Sequence, residues 1–246
     1  FKMLHTIKKL FSLTFALTLL LPAKALCFGG RTHSTITRSA FVKTKFFSKF
    51  NNLEEKLKLK KVLLKACNEP DTEEKSWIFK WHFYNPMPTT YNKIEDFLTT
   101  KDNALLRTVM HYRKAIKLFN TNKVESIREL GASLHYMQDL CCPVHLLGWS
   151  NWQHNKPDFK SFKRVHTSYE NEMDEKSYGF EFDVFFEENS NVINLEFDDI
   201  EGIVNSYPLA TWNKYKNFGQ NEPTYEVFKN AHIASCRLLR LFFKEV

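Results

Sequence analysis

Apolar residues recur along much of the chain at three- and four-residue steps, the period that lines one side of a helix. The pattern predicts helices beginning at Ser34–Phe41 and running over Asn52–Cys67, Ala104–Phe119, Val124–Leu140, Phe159–Glu175, Ile200–Lys216 and Thr224–Lys244. Asn52 caps the second, Leu53, Leu57, Val62, Leu63 and Leu64 form its buried side, and Pro70 closes it. Pro223 sits at the permitted first turn of the last helix, whose stripe Leu238, Leu239, Leu241, Phe242 and Phe243 reads as core. Residues 71–76, 87–100 and 147–158 read as loops, and Trp77–Pro86 is a dense aromatic segment. No repeat or linker interrupts the pattern. It implies an all-α fold in a single multi-helix domain.

One predicted helix carries unusual polar residues. In Glu129–His145 the side chains of His135 and Asp139 stand four apart, hence on one face, and Pro143 ends the helix just before His145. Two imidazoles and a carboxylate around one helix end suggest a metal site.

Composition supports the helical reading: aromatics make up 15% of the chain, with 23 Phe, and only 7 residues are Gly. The amino end stands apart. Lys8 and Lys9 precede an apolar run from Leu10 to Leu21, the length of a secretory core and too short to span a bilayer comfortably. Cleavage is expected after Ala25 or after Cys27; the competing reading is a membrane anchor. Residues 1–27 are read as a signal peptide and 28–246 as the catalytic domain, secreted to the extracellular space or periplasm. The leader holds four lysines and no acid, so its removal lowers the formal charge of +7 by four. Nucleic-acid binding therefore cannot be argued from basicity. The later cut leaves Cys67, Cys141, Cys142 and Cys236, for which at most two bridges are expected, with vicinal Cys141 and Cys142 poorly placed to join each other.

The remaining candidate ligands, in order, are the Phe28 amine, His33, Asp71, His82, His135, Asp139, His145, His166 and Glu170. His166 and Glu170 repeat the four-residue step. Carboxylates with imidazoles and no thiolate pattern suit zinc in a hydrolytic site. The run His135-x3-Asp139-x5-His145, then His166-x3-Glu170, preceded by His33, Asp71 and His82, resembles the superfamily of zinc-dependent phospholipases C and S1/P1 nucleases. The resemblance spans Phe28 to Glu170. It implies an all-helical fold holding three zinc ions: one on Asp71, His82, His135 and Asp139, a second on His145, His166 and Glu170, and a third on His33, a bridging Asp139, and the free amine and carbonyl of Phe28. The family usually has tryptophan at that terminus, but backbone atoms do the ligating. Asp71 is expected to ligate zinc or to orient the attacking water, and the site to cleave phosphate esters without a covalent enzyme intermediate.

Glu170 at the last ligand position, and Trp81–Pro86, resemble the phospholipase branch; the short step from Phe28 to His33 is nuclease-like. The expected activity is a phospholipase C acting on glycerophospholipids at a transiently contacted membrane surface. The alternatives are a nuclease for single-stranded nucleic acid or a non-catalytic zinc-binding protein. Arg31 and Thr72 stand near the positions where choline-preferring members of the family have an acid and an aromatic, and Phe79 is compatible with that pocket; the resemblance thus argues against choline and allows an anionic headgroup. Trp149 and Trp152 either cover the cleft or dip into lipid. No lipid-binding domain is expected after the helices, and docking is expected from the catalytic domain. His111, His154 and His232 are read as structural.

Overall fold

Three helices start on an asparagine whose side-chain oxygen accepts a backbone N–H from the first turn: Asn52 from Glu55 at 3.1 Å, Asn103 from Leu106 at 3.0 Å and Asn122 from Glu125 at 3.1 Å. Each cap satisfies one amide that the helix leaves without a partner. In the computed structural model, which describes residues 29–73, 79–84, 102–146, 159–182, 199–215 and 224–246, the α-helices are α1 (Gly30–Lys43), α2 (Leu53–Ala66), α3 (Glu69–Glu73), α4 (Ala104–Leu118), α5 (Lys123–Asp139), α6 (Phe159–Lys176), α7 (Ile200–Tyr215) and α8 (Thr224–Glu245). Short 3₁₀ turns form at Phe46–Lys49, Phe79–His82 and Pro143–His145. The described residues contain no β-strand beyond a single bridge between Tyr84 and Leu146. The fold is all-α, as expected.

Helix α5 is central. It packs against α4, α2, α8, α1 and α3, and its buried residues include charged and polar ones: Glu129, Ser133, His135, Gln138 and Asp139. Its glycine is the reason α2 can lie against it. A Cβ added at Gly131 would stand 2.6 Å from the Ala66 Cβ and 3.0 Å from the Leu63 carbonyl oxygen. Gly131→Ala should therefore destabilise the fold by about 1–3 kcal/mol through overpacking, against the roughly 1 kcal/mol that alanine gains over glycine in an unhindered helix. A lowered urea midpoint at constant slope is the expected reading; an unchanged midpoint would show that α2 can shift without cost.

At the end of the molecule formed by the α1–α2 turn and the end of α8, Lys45 takes a left-handed conformation (φ 52°). That turn drives Phe46 and Phe47 into the core, where Phe46 meets Phe243 at 4.3 Å and Phe47 edge-on at 4.9 Å. The stripe at the end of α8 is core for Leu238, Leu239, Leu241 and Phe242, with Phe243 packed partly buried against it.

Four expectations need correction: of the loop expected at 71–76, residues 71–73 are helical and belong to α3, and three others concern α1 and α2. The first helix begins at Gly30, four residues earlier than predicted, so His33 lies inside it. In α2 the buried side is Leu59, Leu63 and Ala66, while Leu53 and Leu57 are 68% and 51% exposed. The helix packs closely on α5 through its carboxyl half, where Gly131 admits it, while its first turn meets α5 through the exposed Glu55–Lys123 ion pair at 3.2 Å. Pro70 does not close α2, which ends at Ala66; it stands in the first turn of α3, where a missing N–H costs nothing. The predicted loops at 87–100 and 147–158, with Trp149, Trp152 and His154, lie outside the described residues. No helix among those described is long and apolar enough to cross a membrane.

Candidate metal centre

Six elements bring their polar residues to one buried place. His33 comes from α1, Asp71 from α3, His82 from the first 3₁₀ turn after it, His135 and Asp139 from α5, His145 from the next 3₁₀ turn, and His166 and Glu170 from α6. The two turns are tied together by the Tyr84 N–H, which donates to the His145 carbonyl at 3.0 Å. All eight side chains are buried, and the most exposed of them, His166, shows 8% of its surface.

The carboxylate of Asp139 sits among four imidazoles. Its Oδ2 lies 2.9 Å from His82 Nδ1 and 3.3 Å from His135 Nε2; its Oδ1 lies 3.2 Å from His145 Nδ1 and 3.5 Å from His33 Nε2. Asp71 Oδ1 approaches His135 Nε2 at 3.5 Å and His82 Nδ1 at 3.9 Å. On the far side, Glu170 Oε1 is 3.4 Å from His145 Nε2 and 3.1 Å from His166 Nε2. Metal–nitrogen bonds of about 2.0–2.1 Å around a tetrahedral zinc separate neighbouring ligand atoms by about 3.4 Å. The observed spacings cluster there. Three groups could each hold an ion: His33, His135 and Asp139; Asp71, His82 and His135; His145, His166 and Glu170.

Neighbouring groups orient the rings. Gln138 spends its amide hydrogens on Thr37 at 2.9 Å and Ser235 at 3.1 Å, so its oxygen, 2.6 Å from His33 Nδ1, must accept from that nitrogen. His33 Nε2 is then a lone pair facing Asp139. In the same way the Cys67 carbonyl, 2.8 Å from His135 Nδ1, accepts a hydrogen bond from that nitrogen and leaves Nε2 as the lone-pair side of the ring. His33 and His135 stack with centroids 4.0 Å apart, and His145 and His166 stack at 4.9 Å.

Electrostatics also points to a cation. Burial disfavours a charge on Asp139, but His135 and His145 outweigh it and hold the carboxyl well below its usual range. Burial pushes Glu170 well above its usual value, and Asp71, Asp139 and Asp174 push it further. Burial also drives His166 well below its ordinary value, helped by His145 and His82. The 3.1 Å contact of Glu170 with His166 is thus between two groups both driven to neutrality. It is no ion pair. Glu170 Oε2 is buried and accepts no hydrogen bond among the described residues. A positive ion is what would allow the carboxylate to ionise and bring its lone pairs into use.

Residues 32–240 match the family model described as zinc dependent phospholipase C. The chain belongs to this family. Among solved structures it is similar to the alpha toxin from Clostridium absonum, at 19% identity and a TM-score of 0.54, over 87% of this chain and 62% of that one. It is similar as well to the alpha-toxin of an avian strain of Clostridium perfringens, at 16% identity and a TM-score of 0.56, over 87% of this chain and 63% of the other. At such identities the likeness is one of fold, and the chain spans about three fifths of the length of these toxins. No match is found among curated proteins. The family is zinc-dependent, and the donor set found here suits that metal.

Of the nine residues read from sequence as ligands, eight converge; Phe28 lies outside the described residues, as does the leader before it. His111 and His232 are engaged elsewhere, with Glu129 at 2.6 Å and Ser39 at 3.0 Å. The four cysteines among the described residues are free and buried and form no bridge with one another, and burial raises the Cys67 thiol to about 12. Gln138 and Asp174 escaped the sequence reading. For Gln138 the usable clue is an amide on a helix face otherwise apolar; for Asp174 it is the continuation of the stripe His166, Glu170 by four more residues.

Proposed function

We propose that the chain is a phospholipase C, exported, trimmed to residues 28–246 and loaded with three zinc ions, that hydrolyses glycerophospholipids at a transiently contacted membrane surface to diacylglycerol and a phosphorylated headgroup. The observation that carries this reading is the Asp139 carboxylate set among four imidazoles, with Asp71 and Glu170 completing donor groups at its two sides. When bound, zinc supplies a Lewis acid for the phosphoryl oxygens and acidifies water near neutral pH.

His135 has only Nε2 to offer, because Nδ1 donates to Cys67. It can serve one of the two groups that contain it, and its 3.0 Å approach to His82 Nδ1 favours the group with Asp71 and His82. His33 and Asp139 then need another donor. The amine and carbonyl of Phe28, five residues before His33, would supply it if cleavage follows Cys27.

The carboxylate of Asp71 is buried, as are those of Asp139 and Glu170, and its Oδ1 approaches His135 and His82. By its match to the family's carboxylate position, Asp71 would hold the attacking water or a zinc ion, and as a base would take the water's proton as the bond to the glycerol oxygen breaks. Glu170, rather than aspartate, at the last position favours the phospholipase over the nuclease. Elemental analysis of the mature protein, with assays on phosphatidyl lipids of several headgroups and on single-stranded nucleic acid, tests the reading. Zinc with lipid hydrolysis is expected; zinc with cleavage of nucleic acid alone, or with no turnover, would replace it. Asp71→Asn should keep the other ligands and lose about 10²–10⁴-fold in turnover; unchanged turnover would remove Asp71 from the chemistry.

A further inference from the structure

Helix α1 has no cap of its own: Gly29, the residue before it, carries no side chain to accept an amide. The Thr32 N–H turns back to the Gly29 carbonyl at 2.8 Å and is shared with a second acceptor that comes from α6. Asp174 Oδ1 takes the backbone N–H of Thr32 at 2.9 Å and the Thr32 hydroxyl at 2.7 Å. Thr32 is fully buried. The other oxygen of the same carboxylate lies against Gly29, where a Cβ would meet Oδ2 at 1.9 Å and the carboxyl carbon at 2.3 Å. Any other residue at 29 would have to expel Asp174. A carboxylate at the amino end of a helix also meets the positive end of its dipole.

The position of this contact matters for what stands beside it. His166, Glu170 and Asp174 follow at four-residue steps along one face of α6, and Thr32 immediately precedes His33. One helix face thus supplies two ligands of the Glu170 group. One turn later it clamps the start of the helix that brings His33 to Asp139.

We propose that Asp174 is a positioning residue that locks the start of α1 to α6, so that His33 is delivered to its metal ion, and that this lock requires glycine at position 29. The inference rests on the metal-binding reading above. Asp174 contacts no donor atom of the ligands among the described residues; it holds Thr32 and lies against Gly29, and its charge bears on Glu170 from a distance.

The test compares Asp174→Ala, Asp174→Asn, Gly29→Ala and the double variant Gly29→Ala/Asp174→Ala with the wild type. Zinc content and zinc affinity are read by elemental analysis and chelator competition, with melting temperature alongside. Asp174→Ala and Gly29→Ala should each weaken one ion by about 10–100-fold, the usual cost of losing a group that orients a ligand. The other ions should keep wild-type affinity. The double variant should be no weaker than either single one, because both remove the same contact. Asp174→Asn keeps an oxygen for Thr32 and should stay within a few-fold of wild type. The proposal is overturned if both alanine variants bind every ion with wild-type affinity, even at a lower melting temperature, or if all ions weaken equally. A wild-type protein that binds no zinc would overturn the metal reading itself, and that result is distinct because it is seen without any substitution.

Discussion

Asp139→Asn is expected to leave the enzyme with one tightly held zinc ion and to lower turnover by about 10²–10³-fold or more, the scale seen when a single electrostatic stabiliser is removed from an active site. The side chain keeps its size, so packing around α5 should survive. The change lies in charge and in the direction of hydrogen bonding. Both oxygens of Asp139 face imidazole nitrogens, two on each side. Asparagine would turn an N–H₂ toward one of these pairs, where His33 Nε2 or His135 Nε2 offers a lone pair. It would also remove the negative charge that, with Asp71, raises the His135 value against the lowering effect of burial. The His33 and His82 groups should therefore lose their ions together, while His145, His166 and Glu170 keep theirs through Glu170 Oε1. Elemental analysis separates the outcomes: a variant with full zinc content, or with turnover within a few-fold of wild type, would show that Asp139 does not bridge.

The local parts of this picture were legible in the sequence, because an i to i+4 step fixes neighbours without any knowledge of the fold. His135 with Asp139, and His166 with Glu170, are such pairs, at 3.3 and 3.1 Å. The helices themselves follow from the same short-range period. What distant segments do to each other was not legible. Gln138 orients His33 across 105 residues, and Asp174 reaches Thr32 across 142. Neither separation leaves a periodic trace. Leu53 and Leu57 failed as core residues for a related reason: amphipathicity names a face, but only the gap at Gly131 decides which turns of α2 that face covers. The start of α1 was misplaced because its cap lies on another helix rather than at Gly29.

Stripping the zinc should lower the melting temperature steeply, and by more at higher pH. Free ligand at a thousand times its dissociation constant stabilises a fold by about 4.1 kcal/mol per site, which for a domain of this size corresponds to roughly 8–16 °C for each ion lost. The pH dependence follows from which ligands carry protons in the empty site. Asp139 is held below its usual range and is already ionised; His145 and His166 are pushed down, chiefly by burial, and are already neutral. Glu170 and His135 are the exceptions. Burial raises Glu170 well above the ordinary carboxylate value, and at His135 the charges of Asp139 and Asp71 outweigh burial and raise it too. A group whose value is raised on folding contributes stability that is full below its unfolded value and is lost as pH rises through the folded one. For Glu170 that window opens just above the usual carboxylate range, and for His135 above the usual imidazole range. The metal-free protein should thus weaken as pH rises across both, while the loaded protein, with both groups deprotonated on zinc, should not. The gap between the two melting curves widens accordingly, and chelation in weak buffer takes up protons. A gap that stays constant from acid to neutral pH, with no proton uptake on chelation, would mean that Glu170 is already ionised in the empty site and that a cation is not what the site is built to receive.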